Sequence, residues 1–113
     1  MDQAEETPLR SLFADILVEA GIDHVFGMPG GCTPFLYDAL FDKKDQINTV
    51  LVRHEGGAAV MADLHARLTG KPAVVMGQGP WIGTSGGIGI IESLHTGLPM
   101  LVICDTSDYF SLP

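Results

Sequence analysis

Short apolar runs alternate with longer helix-periodic stretches along the chain, and this alternation most limits the folds it can adopt. The runs INTVLV (47–52), AVVMG (73–77) and PMLVIC (99–104) are largely apolar, as strands covered on both faces are. A shorter strand is predicted over residues 23–26. Strands and helices that alternate through short connections predict an α/β fold: a three-layer open parallel sheet with helices on both faces.

Helix start and stop signals fill the intervals between these strands. Thr7-Pro8 and Thr33-Pro34 each place a capping residue before a proline, which is typical of a helix start. Glycines at 21, 70 and 97 stand where helices end. We therefore predict helices over about 8–20, 34–42, 55–69 and 88–96, and a glycine-rich loop between the third strand and the last helix.

The length of the chain predicts one domain, and that domain is incomplete. Residues 1–113 form a single partial domain in this interpretation, truncated after the fourth strand, because no closing helix follows that strand. No apolar run approaches the roughly 20 residues that cross a bilayer. The acidic N-terminus does not resemble a signal peptide, so we expect a cytoplasmic protein with no membrane partner.

Charge and cysteine content exclude several classes of function. The net charge is −8, from 14 acidic and 6 basic residues without a basic cluster, so we expect no nucleic-acid partner. Cys32 and Cys104 lack metal-type spacing and are predicted to be reduced thiols. His24, His65 and His95 have no partners at ligand spacing, and the sequence predicts no metal site.

Most loop glycines fall in four segments that follow the predicted strands: 27–32, 53–57, 77–83 and 104–107. In parallel α/β sheets, ligands bind beyond the carboxyl ends of the strands. We therefore expect one site assembled from these four segments.

Glu55 and its neighbours are candidates for that site. A carboxylate at a helix start is stabilised by the helix dipole without any further function. The poor helix formers Gly56 and Gly57 indicate in addition that something approaches the backbone closely. His54 is a candidate general base, although a histidine there is more often packed and hydrogen-bonded in the core. Trp81 is either a wall of a binding site or, more commonly, an aromatic that packs on an edge.

Other catalytic motifs match poorly. GTSGG (83–87) has the form of the serine-hydrolase elbow GxSxG, but Ser85 comes well after the third strand, and no acid followed by a histidine comes later. Small residues that let a helix pack tightly explain it better. HEGGA lacks the second histidine of a zinc protease, and no complete nucleotide-binding glycine motif is present.

Three strings together resemble a known family: GIDHVFGMPGG, VRHEGGAAVMADLHARLTGKPAVV and GLPMLVI. They are similar to the N-terminal pyrimidine-binding domain of thiamine-diphosphate-dependent enzymes, in the acetolactate synthase and 2-oxo acid decarboxylase group, over residues 8–105. The resemblance implies that Glu55 is catalytic: it hydrogen-bonds N1′ of the aminopyrimidine and so promotes loss of the thiazolium C2 proton. It also implies cofactor contacts for Pro29, Gly30, Gln78 and Pro80.

The resemblance has two departures. The loop GQGPWIGTSGG differs from the SGPGATN of the synthases, so the substrate is left open. The family holds the diphosphate through Mg²⁺ in a separate domain with a GDG motif, which this chain lacks. The implied function is therefore half of a site for decarboxylation or carboligation of 2-oxo acids, completed in a homodimer, a homotetramer or a complex with a partner subunit. The alternative is a non-catalytic binding or assembly module that retains the fold.

Overall fold

The computed structural model describes residues 8–106, and these residues adopt the predicted α/β architecture. Thr7 and Ser107, which the sequence places in a helix cap and a site loop, lie outside the described residues. In chain order the elements are α1 (Leu9–Glu19), β1 (His24–Gly27), α2 (Pro34–Asp42), β2 (Asn48–Leu51), α3 (Glu55–Thr69), β3 (Ala73–Gly77), α4 (Gly79–Thr84), α5 (Gly87–Thr96) and β4 (Met100–Cys104).

The four strands form one parallel sheet in the order β2-β1-β3-β4. Val25 of β1 pairs with Thr49 on one side and with Val74 on the other. The connection that leaves β1 runs to one edge of the sheet, and the connection that leaves β3 runs to the opposite edge. The loops that follow these two central strands therefore diverge, and a crevice opens between them at their carboxyl ends.

Alternation of side chains along the strands divides the interior into two cores. Val25, Val74 and Met76 face one core, which α1 and α2 cover, while Phe26 and Val75 face the core beneath α3 and α4. Every residue of β3 is buried. Helices on both faces of the sheet confirm the predicted three-layer arrangement.

Strand β2 departs from its prediction. The apolar run over 47–52 predicted a strand covered on both faces, but β2 lies at an edge of the sheet, and Leu51 is 64% exposed. Strand β4 forms the other edge, where Leu101 and Val102 are also exposed. Apolar composition identified strands correctly but did not distinguish central strands from edge strands.

Helix α4 lies where the sequence predicted only a glycine-rich loop. The carbonyl of Gln78 accepts hydrogen bonds from the amides of Trp81 and Ile82, and Pro80 stands in the first turn, where it sacrifices no helical hydrogen bond. Ile82 is only 1% exposed and packs in the core beneath α3. Burial of Ile82 outweighs the low helix propensity of Gly79 and Gly83.

Helices α3 and α5 approach each other through small side chains. On α3, Ala58, Ala59 and Ala62 are fully buried. Gly89 of α5 lies directly against the backbone of Ala59 and Val60, where a β-carbon would overlap it. The close contact thus lies just beyond GTSGG, at Gly89, whereas a β-carbon on Gly83 or Gly87 within that motif would meet open space.

A buried polar bridge also joins these two helices. The hydroxyl of Ser93 donates to Oδ1 of Asp63 over 2.7 Å, and Arg67 donates to Oδ2 over 3.1 Å. Burial raises the pKa of Asp63, but the hydrogen bonds from Ser93 and Arg67 outweigh it and hold this pKa below its usual range. The carboxylate thus stays ionised inside an otherwise apolar contact.

Two further predictions concern the cysteines and the helix ends. Cys32 and Cys104 are exposed and form no disulfide within residues 8–106. Gly70 and Gly97 both adopt the left-handed conformation of C-terminal caps, as predicted. Among residues 8–106, no helix combines the length and the apolar character that a bilayer crossing requires.

The contact at Gly89 predicts a position-dependent effect of alanine. Gly89→Ala should lower the free energy of unfolding by about 1–3 kcal/mol, because the new methyl group forces α3 and α5 apart. Gly83→Ala is the matched control: a β-carbon at this helical glycine meets open space, so stability should stay equal or rise by about 1 kcal/mol. Urea denaturation followed by circular dichroism measures both; equal effects of the two variants would contradict the close contact.

Candidate functional site

A cleft of about 250 Å³ lies at the carboxyl ends of the central strands. It is lined by Met28, Pro29, Gly30, Glu55, Gln78 and Trp81. The structure thus brings together four of the predicted residues from three distant loops: Pro29, Gly30, Glu55 and Gln78. Pro80 is exposed in the first turn of α4 and does not line this cleft.

Glu55 is the first residue of α3 and is only 7% exposed. Its position places a carboxylate at the positive end of the helix dipole, which stabilises negative charge. Within the described residues, no cation forms an ion pair with Glu55. The cleft therefore contains a nearly buried acid that no positively charged side chain among residues 8–106 stabilises.

His54 has a structural role that the sequence did not predict. It is the N-cap of α3, and its Nδ1 accepts a hydrogen bond from the amide of Gly56 over 3.1 Å. The residue is exposed, so the expectation of a histidine packed in the core is wrong. Because Nδ1 is the acceptor, the cap fixes the orientation of the ring and of the backbone that leads into Glu55.

The glycines after Glu55 have two different surroundings. A β-carbon on Gly56 would meet the carbonyl oxygen of Ser85 at 2.8 Å, so the close approach predicted here is made by the backbone between α4 and α5. A β-carbon on Gly57 would meet nothing within 4 Å. Ser85 itself joins two helices and does not sit on a turn from a strand into a helix, in agreement with the rejection of a hydrolase elbow.

Thr33 fixes the loop that carries Pro29 and Gly30. Its side chain is almost fully buried, and its hydroxyl donates to the carbonyl of Gly30 over 2.7 Å while accepting from the amide of Gly30 over 3.0 Å. The side chain of Thr33 forms no capping bond to α2, so the residue predicted to cap that helix hydrogen-bonds the cleft loop instead.

Tyr37 joins α2 to the central strand β3, because its hydroxyl donates to the carbonyl of Met76. Burial raises the pKa of Tyr37, which keeps the hydroxyl protonated.

Asp105 connects three of the four loops, a role that the sequence did not predict although the residue falls within the site segment 104–107. Its Oδ2 accepts from the amide of Cys32 over 2.6 Å, and its Oδ1 accepts from the amide of Gly79 over 2.8 Å. These backbone hydrogen bonds, first that of Cys32 and then that of Gly79, hold the pKa of Asp105 below its usual range. Gly31 packs so closely on the carboxylate that a β-carbon would overlap it. An acid directly after a parallel strand was the signal that could have revealed this role.

Trp81 forms a wall of the cleft, so the more common interpretation, an aromatic that only packs on an edge, does not apply. Its Nε1 donates to Oε1 of Gln78 over 3.0 Å, and 53% of the residue remains exposed. One turn of α4 separates the two residues, which is why both reach the same cleft. The sequence could not place Trp81 here because it did not predict α4.

The fold and the cleft together define a class: a doubly wound α/β domain with a cleft at the point where the strand order reverses, which is where such domains bind ligands. Residues 8–111 match the family model described as "Thiamine pyrophosphate enzyme, N-terminal TPP binding domain". The chain belongs to this family. The resemblance seen in the sequence is thereby confirmed.

Individual relatives agree with this assignment. An acetolactate synthase of Bacillus subtilis is 51% identical over 65 residues, which cover 58% of this chain and 11% of that protein. The acetolactate synthase large subunit of Buchnera aphidicola (Acyrthosiphon pisum strain) is 41% identical over 77% of this chain and 15% of its own length. The pyruvate oxidase of Lactiplantibacillus plantarum is 36% identical over 91% of this chain and 17% of its own length.

A solved structure supports the same fold. A protein from Mycobacterium smegmatis described as a thiamin diphosphate-dependent enzyme superposes with a TM-score of 0.75 at 26% identity, covering 94% of this chain and 20% of that one. The matched part of this chain spans less than a fifth of the length of each of the three relatives described above.

The bridge formed by Asp105 predicts a pH-dependent stabilisation of the site loops. Asp105→Asn should lower the melting temperature at neutral pH, because an amide cannot accept both backbone hydrogen bonds as an ionised carboxylate does. The folded-state pKa lies below the unfolded value of about 3.9, so the stabilisation is present above that value and is lost as the pH falls through the folded-state pKa. Between pH 7 and pH 3 the difference between the two melting temperatures should shrink toward the acid end, and a constant difference would contradict the role of the charge.

Proposed function

We propose that this chain supplies the pyrimidine-binding half of a thiamine-diphosphate-dependent enzyme that decarboxylates 2-oxo acids or joins them to a second carbonyl compound. The observation that carries the proposal is Glu55, a nearly buried carboxylate at a helix N-terminus, facing a cleft at the switch point of the sheet. Family membership and the similar solved structure of a thiamin diphosphate-dependent enzyme support the same cofactor.

The residues of the cleft fit an aminopyrimidine ring. Met28, Pro29 and Trp81 offer apolar walls, and Gly30 has no side chain to occupy the space between them. Glu55 is a suitable partner for a ring nitrogen, since a carboxylate can share one proton with a basic heterocycle. Oε1 of Gln78 already accepts a hydrogen bond from the indole of Trp81. Gln78 can therefore bind a ligand through its NH₂ group, which is a donor.

When bound, thiamine diphosphate supplies a carbon nucleophile that adds to the carbonyl group of a 2-oxo acid and accepts the electron pair left by CO₂. In this proposal, Glu55 holds a proton at its carboxylate oxygen, between itself and the ring nitrogen N1′. The His54 cap and the close contact of Gly56 with the α4–α5 backbone fix the position of that carboxylate. Asp105 and Thr33 keep the opposing loops in place, so that the ring is oriented before any chemistry occurs.

The remainder of the site is assigned to another domain. The diphosphate and Mg²⁺ would be held by a diphosphate-binding domain, either elsewhere in a longer chain or in a partner subunit of a homodimer or homotetramer. On this proposal the 113 residues alone are inactive. The alternative, a non-catalytic binding or assembly module, draws on the altered loop over 77–87, although α4 keeps Gln78 and Trp81 at the cleft.

Glu55→Gln in the complete enzyme tests the catalytic role. The variant should lose about 10²- to 10⁴-fold in turnover of pyruvate, because an amide cannot take part in the same proton transfer. Glu19→Gln is the matched control, since it makes the same chemical change at an exposed position at the end of α1. Release of CO₂ under saturating thiamine diphosphate and Mg²⁺ measures both variants, and circular dichroism checks their folding.

Two outcomes would contradict the proposal. Wild-type turnover in a folded Glu55→Gln variant would remove Glu55 from the chemistry. A wild-type complex that binds thiamine diphosphate, yet turns over no member of a panel of 2-oxo acids, would favour the non-catalytic alternative.

A further inference from the structure

A second cluster of functional side chains lies at the opposite end of the sheet, by the amino ends of the strands. Asp23 immediately precedes β1, His24 begins that strand, and His65 projects from the C-terminal half of α3. One nitrogen or oxygen atom of each side chain lies within 4.8 Å of the others. The expectation that His24 and His65 have no partners is therefore wrong, since α3 packs across β1 and joins residues that are distant in sequence.

The separations within this cluster suit ligands of one metal ion. Nδ1 of His24 lies 2.9 Å from Oδ1 of Asp23, and Nε2 of His65 lies 3.1 Å from the same oxygen. Adjacent ligands of an ion with bonds of about 2.0–2.1 Å are about 3 Å apart. The two imidazole rings lie side by side with centroids 4.5 Å apart, so both face the same carboxylate oxygen.

His65 provides an independent indication of a missing ligand. Its side chain is only 10% exposed, and its Nε2 atom is buried. Despite the short distance to Asp23, that atom makes no hydrogen bond of acceptable geometry within the described residues. A buried ring nitrogen without a partner destabilises the fold, and coordination would satisfy it.

We propose that Asp23, His24 and His65 bind a divalent transition-metal ion, with Zn²⁺ as the best-matched candidate. Two imidazoles and one carboxylate are a donor set that prefers zinc, cobalt, nickel or copper to magnesium or calcium. Asp23 and His24 remain 31% exposed, so solvent can complete the coordination. The site is separate from the cleft that contains Glu55 and is independent of the function proposed for that cleft.

Lys71 orients the carboxylate in this arrangement. Its Nζ lies 2.6 Å from Oδ2 of Asp23, whereas both histidines pair with Oδ1. Oδ1 is thereby directed to the two imidazoles, in the way that an outer partner typically orients a metal ligand. Without a metal, the same groups form an ion-pair network of Lys71, Asp23 and the histidines, which is the competing explanation.

Metal titration of the complete protein distinguishes these explanations. The protein is prepared without a histidine tag and is freed of metal by dialysis against a chelator; ZnCl₂ is then titrated by calorimetry, and CoCl₂ is followed by visible absorption. With excess Mg²⁺ present in every titration to occupy the separate site proposed for the diphosphate-binding domain, we expect one further site that binds Zn²⁺ and Co²⁺ and is not blocked by Mg²⁺ or Ca²⁺. His24→Gln and His65→Gln should each weaken Zn²⁺ binding by at least about tenfold.

His95→Gln is the matched control, because this histidine is exposed in the last turn of α5. It should leave the affinity for Zn²⁺ unchanged. If His65→Gln fails to fold, the exposed ligand His24 still tests the site, with circular dichroism of each variant as the folding check. Absence of Zn²⁺ binding, or equal binding by the wild type and a folded His24→Gln, His65→Gln double variant, would overturn the proposal and leave the ion-pair network.

Discussion

The parallel pairing of β1 with β3 is the constraint on which the rest of the structure depends. These two strands adjoin in space but are separated in the chain by α2, β2 and α3. The chain must run to one edge, return across the sheet and then continue to the other edge. This path places helices on both faces and separates the loops after β1 and β3. The strand order thus creates the cleft, and the loops that follow the strands supply the residues that line it.

Fixed loops and a fixed helix meet at that cleft for different physical reasons. The loops are held by hydrogen bonds to their backbone, through the carboxylate of Asp105 and the hydroxyl of Thr33. Helix α3 is held by close packing of small side chains against α5, with the Asp63–Ser93 bridge inside the contact. Glu55 is therefore carried by an element whose position is set by packing, while Pro29 and Gly30 are positioned by polar contacts.

The sequence predicted the fold class, the four strands and four of the five helices, because apolar runs and capping signals are local. The rule that residues after parallel strands meet at one edge predicted the segments that form the cleft, and the family resemblance singled out Pro29, Gly30, Glu55 and Gln78 within them. It did not predict α4, whose formation depends on burial of Ile82 in the core, or the exposed edge position of β2.

The missed contacts are those that link distant parts of the chain. Asp105 reaches Cys32 and Gly79, and His65 reaches Asp23, only after the strands have paired. Neither relation has a spacing that could be recognised in the sequence. The roles of His54 and Trp81 depend on where α3 and α4 begin. The exact first residue of a helix is the part of a secondary-structure prediction that a sequence determines least well, so the cap and the cleft wall were not identified.

Helix α3 is continuous from Glu55 to Thr69, so the cleft acid and His65 share a single helical register. Ten residues separate them, or about 15 Å along the axis. Inserting or deleting one residue between them would turn one end of the helix by about 100° relative to the other. Either the acid would leave its cleft or the imidazole would swing away from Asp23. The length of the segment between these two residues is therefore fixed by both sites at once, whereas its buried residues are fixed by the packing of α3 against α5.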